Sequence, residues 1–232
     1  MAPIASAIRA VDWLRLIEDA RIFAINNFCF VSAIDKKPYK CFLRCFILLS
    51  KNILIGVYLM VKKIYTVGHS THPITEFIQL LKFYDIEIVV DVRTITRSLH
   101  NPQFNENILE KNLTDYGIHY IHMAGLGGFR HVARNSVNTA WRNASFRGFA
   151  DYMQTTELEE NLKGLLKIAE KNDTAIMCAE AVPWRCHRSL IGDALLVHNF
   201  EVIDIFTEKS AKPHLMTPFA QIKNEKVEYP LK

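Results

Sequence analysis

Between residues 63 and 206, short apolar runs alternate with stretches whose apolar residues recur every three or four positions. Runs of the first kind, at residues 64–67, 86–92, 119–122, 174–178 and 202–205, have the length of strands. The run IEIVVDV at 86–92 is rich in β-branched residues and almost continuously apolar, as strands covered on both faces are. The second kind predicts helices over residues 74–83, with Phe77, Leu80 and Leu81 on one face; 105–116, with Ile108, Leu109 and Leu113; 158–169; and 187–200, with Leu190, Ile191, Ala194 and Leu195. Pro73 suits the entry to the first of these, and Gly117 suits the left-handed terminus of the second. Strand and helix in alternation imply right-handed crossovers. The expected fold is therefore a three-layer α/β domain, with a mostly parallel sheet of about five strands and helices on both faces. Two regions break the rhythm. Residues 124–150 carry several glycines, asparagines and arginines with little periodicity, which predicts a long ordered loop, and the chain from residue 207 onward reads as loosely held.

Charge divides the 232 residues differently. Residues 1–59 hold 8 Lys/Arg against 4 Asp/Glu, whereas residues 60–232 hold 20 of each, and all nine histidines fall in the second part. The first part has no motif and no repeat. Its most apolar stretch, residues 41–61, is interrupted by Arg44 and Lys51, which leaves a charge-free run well short of the roughly 20 residues of a bilayer span. We expect residues 1–59 to be an extension called from too early a start, Met60 being the alternative, or a poorly ordered leader. Residues 60–232 are expected to form a single α/β domain without membrane contact. Five cysteines give no even disulfide framework and no signal peptide is evident, so the expected compartment is the reducing cytoplasm.

The densest chemistry lies in CAEAVPWRCHR, residues 178–188, between a predicted strand and a predicted helix. Such turns at the carboxyl ends of parallel strands line ligand crevices, and a helix start favours anions and thiolates. Three chemistries fit. In the first, Cys186 or Cys178 is a nucleophile with His187 or His69 as base. The spacing does not match a phosphatase-type loop, because six residues separate Cys178 from Arg185 and no glycine relaxes the turn. In the second, a metal is held by Cys178, Glu180, Cys186 and His187; the adjacency of Cys186 and His187 and the lack of any C-x-x-C pair argue against it. In the third, Arg93, Arg130, Arg185 and Arg188 grip a phosphate-bearing ligand, with Asp91 beside them, Trp184 or Trp141 stacking on a base, and Glu180 as acid or base.

Read together, TVGHS from Thr66, VDVR from Val90, PQF from Pro102, LGG from Leu126 followed by Arg130, FRGFADYM from Phe146, and CAE with WRCHR resemble the domain-of-unknown-function family numbered 488, over about residues 64–206. The resemblance implies where the domain and its site lie. It implies no reaction. Each residue also has a structural reading: Cys178 as a small apolar filler, Asp91 and Arg93 as an ion pair, His69 as a helix cap.

The third chemistry accounts for the most residues. We expect a cytoplasmic enzyme, a hydrolase or transferase, acting on a small anionic or nucleotide-like ligand. Arg93, Arg185 and Arg188, with Arg130, would hold the anion, Glu180 and His69 would move protons, and Cys186 would be a reactive thiol. The alternatives are a noncatalytic nucleotide or nucleic-acid binding module and a metal-dependent hydrolytic or redox site. The zero net charge of residues 60–232 argues against broad duplex binding, which needs an extended basic face. Nothing in the sequence names a cofactor.

Overall fold

A computed structural model describes residues 43–48, 54–59 and 62–231, the first two segments as backbone only. The chain divides into two units at Met60 and Val61. In the first, β1 (Leu43–Leu48) and β2 (Leu54–Leu59) pair antiparallel with Leu43 opposite Leu59. What the sequence predicts for the rest of residues 1–59 lies outside the described residues. Among the described residues no helix is long and apolar enough to cross a membrane.

The second unit is built on a six-stranded sheet in the order β5-β4-β6-β3-β7-β8. These are β3 (Lys63–Gly68), β4 (Ile88–Asp91), β5 (His119–His122), β6 (Thr174–Cys178), β7 (Glu201–Thr207) and β8 (Ser210–Pro213). The first five run parallel, and β8 pairs antiparallel with β7 at one edge. Alternation along each strand explains why both faces must be covered. Tyr65, Val67, Val89, Ala175, Met177 and Ile203 point to one side, where α1 (Ile74–Phe83) and α2 (Glu106–Asp115) pack with Phe77, Leu81, Leu109 and Leu113. Ile64, Val90, Ile176, Cys178 and Val202 point to the other, against α3 (Ala144–Tyr152), α4 (Thr156–Ala169) and α5 (Arg188–Val197). The three-layer α/β architecture is thus in place, with one strand more than the expected five.

Topology determines where a crevice opens. From β3 and β4 the chain turns to the α1–α2 face, whereas from β6, inserted between them, it turns to the α5 face. Connections that leave adjacent parallel strands in opposite directions part above the strand ends. A gap between them follows at this edge of the sheet.

Two expectations need correction. The loop expected over residues 124–150 ends in α3, which begins where the Asn143 side chain accepts hydrogen bonds from the backbone N–H groups of Ser145 and Phe146. Gly148 interrupts the helical pattern in the sequence. In the fold it is required, since a methyl there would overlap the backbone of Arg130. The C-terminal segment is not loose either. It adds β8 and the hairpin β9 (Gln221–Lys223) and β10 (Lys226–Glu228), and it buries Val227 and Tyr229 in the core cluster of the α3–α5 face. A few anchors spread along a polar stretch leave no periodicity to read.

Candidate functional site

The pairing of β3 with β6 continues past the strands, with Cys178 and Ala179 carbonyls accepting from the N–H groups of His69 (2.9 Å) and Ser70 (2.9 Å). This close approach requires Gly68, because any side chain there would overlap the Glu180 carbonyl. The turn after β6 is pinned from beneath by Arg188, which is fully buried and donates from its guanidinium to the carbonyls of Glu180 and Ala181. Arg188 is therefore not an anion holder, as its place at a helix start suggested. It fixes the turn. After one turn of 3-10 helix at Pro183–Arg185, the chain enters α5 with His187 at the cap position and Cys186 just before it.

Cys178, Cys186 and His187 converge there. Their two sulfurs and one ring nitrogen lie within 4.8 Å of one another. Sγ of Cys186 is 3.8 Å from Nδ1 of His187. Nε2 of the same ring donates to the Val92 carbonyl at 3.0 Å. That bond places the ring proton on Nε2 and turns the Nδ1 lone pair toward sulfur. The Cys178 thiol hydrogen-bonds Cys186 and so lowers the Cys186 pKa; burial opposes this, while His187 and the charge of Arg188 reinforce it. Cys178 moves the opposite way, raised by the same hydrogen bond and by burial. The pair thus holds one thiolate more readily than two, on Cys186. Three soft or borderline ligand atoms at this spacing also suit a transition metal, and the carbonyl behind His187 is the usual partner of a metal-bound imidazole.

A second cluster stiffens the wall. Arg93 is buried and donates through Nε (2.9 and 3.0 Å) and Nη2 (2.5 Å) to the carboxylate of Asp91, through Nη2 to the Phe104 carbonyl (2.8 Å) and through Nη1 to Nε2 of His69 (3.2 Å). Asp91 also accepts the Tyr120 hydroxyl at 2.7 Å. Burial, and to a lesser extent the Asp91 charge, pushes that hydroxyl's pKa up. Nδ1 of His69 lies 2.9 Å from the Ser70 carbonyl, and its ring stacks on Phe104 at 4.1 Å. Burial lowers the His69 pKa to about 4, with a smaller push from Arg93 and a partial offset from the Ser70 carbonyl. With both nitrogens engaged, His69 has none left to take a substrate proton. Its expected role as a base is corrected to that of a neutral support for Arg93. Asp91, expected to touch ligand, is an ion-pair partner with no exposed surface. Arg93 retains little spare donor capacity.

Above both clusters lies a cavity of about 510 Å³. His69, Arg93, Cys178, Glu180, Arg185, Cys186 and His187 all border it, so these residues, far apart in sequence, do meet at one edge of the sheet. Arg130 does not. Its guanidinium binds the Gly127 carbonyl at 3.1 Å and lies 3.7 Å above the Tyr152 ring, so it braces the segment that precedes α3. Trp184 is exposed beside Phe206, and Trp141 packs among Phe146, Phe219 and Tyr229; neither borders the cavity. The residues that sequence reasoning missed include Thr94, Ile95, Arg97, Ser98 and Asn101, on the segment after β4, together with Phe129 and Phe146. Position was their signal: the segment follows a parallel strand at its carboxyl end and carries an arginine.

Sequence reasoning also missed a buried network none of whose residues lines the cavity. His214 lies between Asp204 (2.9 Å) and Asp193 (3.3 Å); Tyr229 donates to Asp193 (2.8 Å) and Thr66 to Asp204 (2.6 Å). Burial alone would lower the His214 pKa, but the hydrogen bonds and charges of Asp193 and Asp204 outweigh it and raise it to about 9.

Comparison with known proteins gives one match. The family model described as Domain of unknown function DUF488 matches residues 73–195, more than half of the chain. That span is narrower than residues 64–206 but includes β4, β5, β6 and the whole of CAEAVPWRCHR. Neither a curated protein nor a solved structure matches.

Proposed function

This chain belongs to the Domain of unknown function DUF488 family, and from the geometry of its cavity we propose that it is an enzyme using Cys186 as a nucleophile on a small, phosphate-bearing, nucleotide-like ligand. The observation that carries this reading is the chain of contacts from Cys186 Sγ to His187 Nδ1 (3.8 Å) and from His187 Nε2 to the Val92 carbonyl (3.0 Å), set in the cavity wall. Nucleophile, base and a third group that orients the base are the parts of a thiol-based transfer site.

Nδ1 of His187 takes the Cys186 proton, and the start of α5 with the Cys178 thiol steadies the sulfur anion. The thiolate then bonds to an electrophilic atom of the ligand. The bond to the leaving group breaks with its electron pair, and the proton on Nδ1 passes to that group. Water or an acceptor displaces sulfur in a second step, in which Glu180, exposed on the lining, takes a proton. Arg97 and Arg185, both exposed on the lining, hold the anionic part. A reducing cytoplasm belongs to the same proposal, since it keeps both cysteines as thiols.

Intact-mass analysis after incubation with nucleotides and sugar phosphates tests this reading. We expect a covalent adduct with wild type and none with Cys186→Ser, with turnover down by about a thousandfold or more. Unchanged turnover in Cys186→Ser would rule out Cys186 as the nucleophile, and binding without turnover in wild type would reduce the site to a binding module. A second reading is favoured by the convergence of Cys178, Cys186 and His187 within 4.8 Å: a metal held by these three, with its open position toward the cavity. Elemental analysis of protein purified without chelators separates the two, since a stoichiometric transition metal lost in His187→Gln supports the second.

A further inference from the structure

Phe129 is an unusual residue on the cavity lining. It is 78% exposed, and its φ of 57° lies in the left-handed region that aromatic residues avoid. Two glycines, Gly127 and Gly128, stand immediately before it, yet neither has positive φ; the strained conformation falls on the phenylalanine. Nor is the segment loose. Thr94 Oγ1 donates to the Gly128 carbonyl at 2.9 Å, Arg130 Nε to the Gly127 carbonyl at 3.1 Å, and the Tyr152 hydroxyl to the Gly125 carbonyl at 2.8 Å. Leu126 is fully buried beneath, and Gly128 lies close against the His187 ring. An aromatic ring is thus held out to solvent on a rigid, strained backbone registered against the residue that touches Cys186. Water is a poor partner for such a ring, and backbone strain of this kind persists where the surrounding structure enforces it, commonly at ligand sites. Other residues of the same lining complete the recognition chemistry: Ile95, 61% exposed, and Phe146 are apolar, while Arg97 and Arg185 carry guanidinium groups.

We propose that Phe129 is the stacking platform for a planar aromatic base, so that the ligand is a nucleotide rather than a sugar phosphate or an inorganic anion. This rests on the reading of the cavity as the ligand site. The base lies on Phe129, the phosphate faces Arg97 and Arg185, and the sugar, with the bonds that flank it, is left between them on the Cys186 side. Base–aromatic stacking tolerates any base, because each presents a π face. The selectivity built here is for possession of a base.

Equilibrium binding of AMP, GMP, CMP and UMP, each compared with ribose 5-phosphate, provides the test. At least one nucleotide should bind about tenfold or more tightly than ribose 5-phosphate, the scale that one stacked base contributes. Phe129→Leu should abolish most of that preference while leaving ribose 5-phosphate binding within about twofold, and Phe129→Trp should keep it. Phe129→Gly, which relieves the left-handed strain, should be folded and no less heat-stable while also losing the preference. Equal binding of nucleotides and ribose 5-phosphate overturns the proposal. So does a preference that survives in Phe129→Leu, and so does no binding of any of these probes. Because stacking is read by binding alone, a lost base preference with an intact thiol adduct sinks only the platform, whereas a missing adduct with the preference intact sinks only the nucleophile.

Discussion

His214 and His187 both sit among ionisable side chains beside α5, and their surroundings differ in one decisive respect. Around His214 every polar atom is answered from within: two carboxylates, a tyrosine, a threonine and the Thr217 N–H close the network, and Asp193 and Tyr229 have no exposed surface. Around His187 the partners are the Cys186 thiol, itself bonded to Cys178, and one carbonyl, and the cluster ends at a cavity wall. A perturbed titratable group is thus no sign of a site by itself. The sealed cluster binds the C-terminal segment to the sheet, whereas the open one presents atoms that can leave, attack or bind. A network that satisfies itself stabilises, and one left short of partners at a cavity is available for chemistry.

Several substitutions break or sharpen this contrast. His214→Leu has the largest expected effect on folding, since it leaves Asp193 and Asp204 buried without a cation; we expect a loss of about 3–5 kcal/mol in urea unfolding. Covalent labelling of Cys186 in the folded fraction should persist. If labelling disappears along with stability, the two clusters are not separate. Gly68→Ala acts from the other side. It forces the turn at Glu180 to shift, at a cost on the order of 1–3 kcal/mol, and it should disturb Cys186 labelling while the His214 titration, followed by NMR, stays in place.

The pH dependence of unfolding is the gentlest probe, and the two perturbed histidines give it opposite signs. His214, raised in the fold to about 9, contributes stability that is fully present below about 6.5, the ordinary histidine value, and is lost as pH rises through about 9. His69 is lowered to about 4. As pH falls from about 6.5 toward 4, the unfolded chain takes up a proton that the folded chain refuses, so stability falls on the acid side. The slopes are on the order of 1.4 kcal/mol per pH unit, and each should vanish in the variant lacking its own histidine. A profile flat on the alkaline side in wild type would contradict the charged state assigned to His214.

The same contrast explains what the sequence makes legible. Residues 74–83, 119–122 and 174–178 match α1, β5 and β6 to the residue, and in α1 and β6 burial on one or both faces writes its period into the chain. The meeting of His69, Arg93, Glu180, Arg185, Cys186 and His187 follows from strand ends in a parallel sheet. The arginines are less legible. Arg93, Arg130, Arg185 and Arg188 look alike in sequence, yet only Arg185 is exposed on the lining, while Arg93 is taken up by Asp91, Arg130 by backbone carbonyls and Tyr152, and Arg188 by the turn it holds. Whether a guanidinium faces ligand or backbone depends on contacts that no local pattern encodes. The His214 network joins residues as far apart as Thr66 and Tyr229, and Phe129 stands out only through its φ and exposure.

Cys186, held by the Cys178 hydrogen bond and the His187 imidazole, is the reactive thiol of the pair, and Cys178 is not. Site-resolved rates of alkylation by iodoacetamide at neutral pH, read by peptide mass spectrometry on folded wild type and His187→Gln, test this directly. Cys186 should react at least about tenfold faster than Cys178, the ratio expected when one of two thiols holds the thiolate, and His187→Gln should slow Cys186 measurably while the Cys178 hydrogen bond keeps part of the advantage. Equal rates at the two cysteines, or a Cys186 rate indifferent to loss of the imidazole, would contradict it.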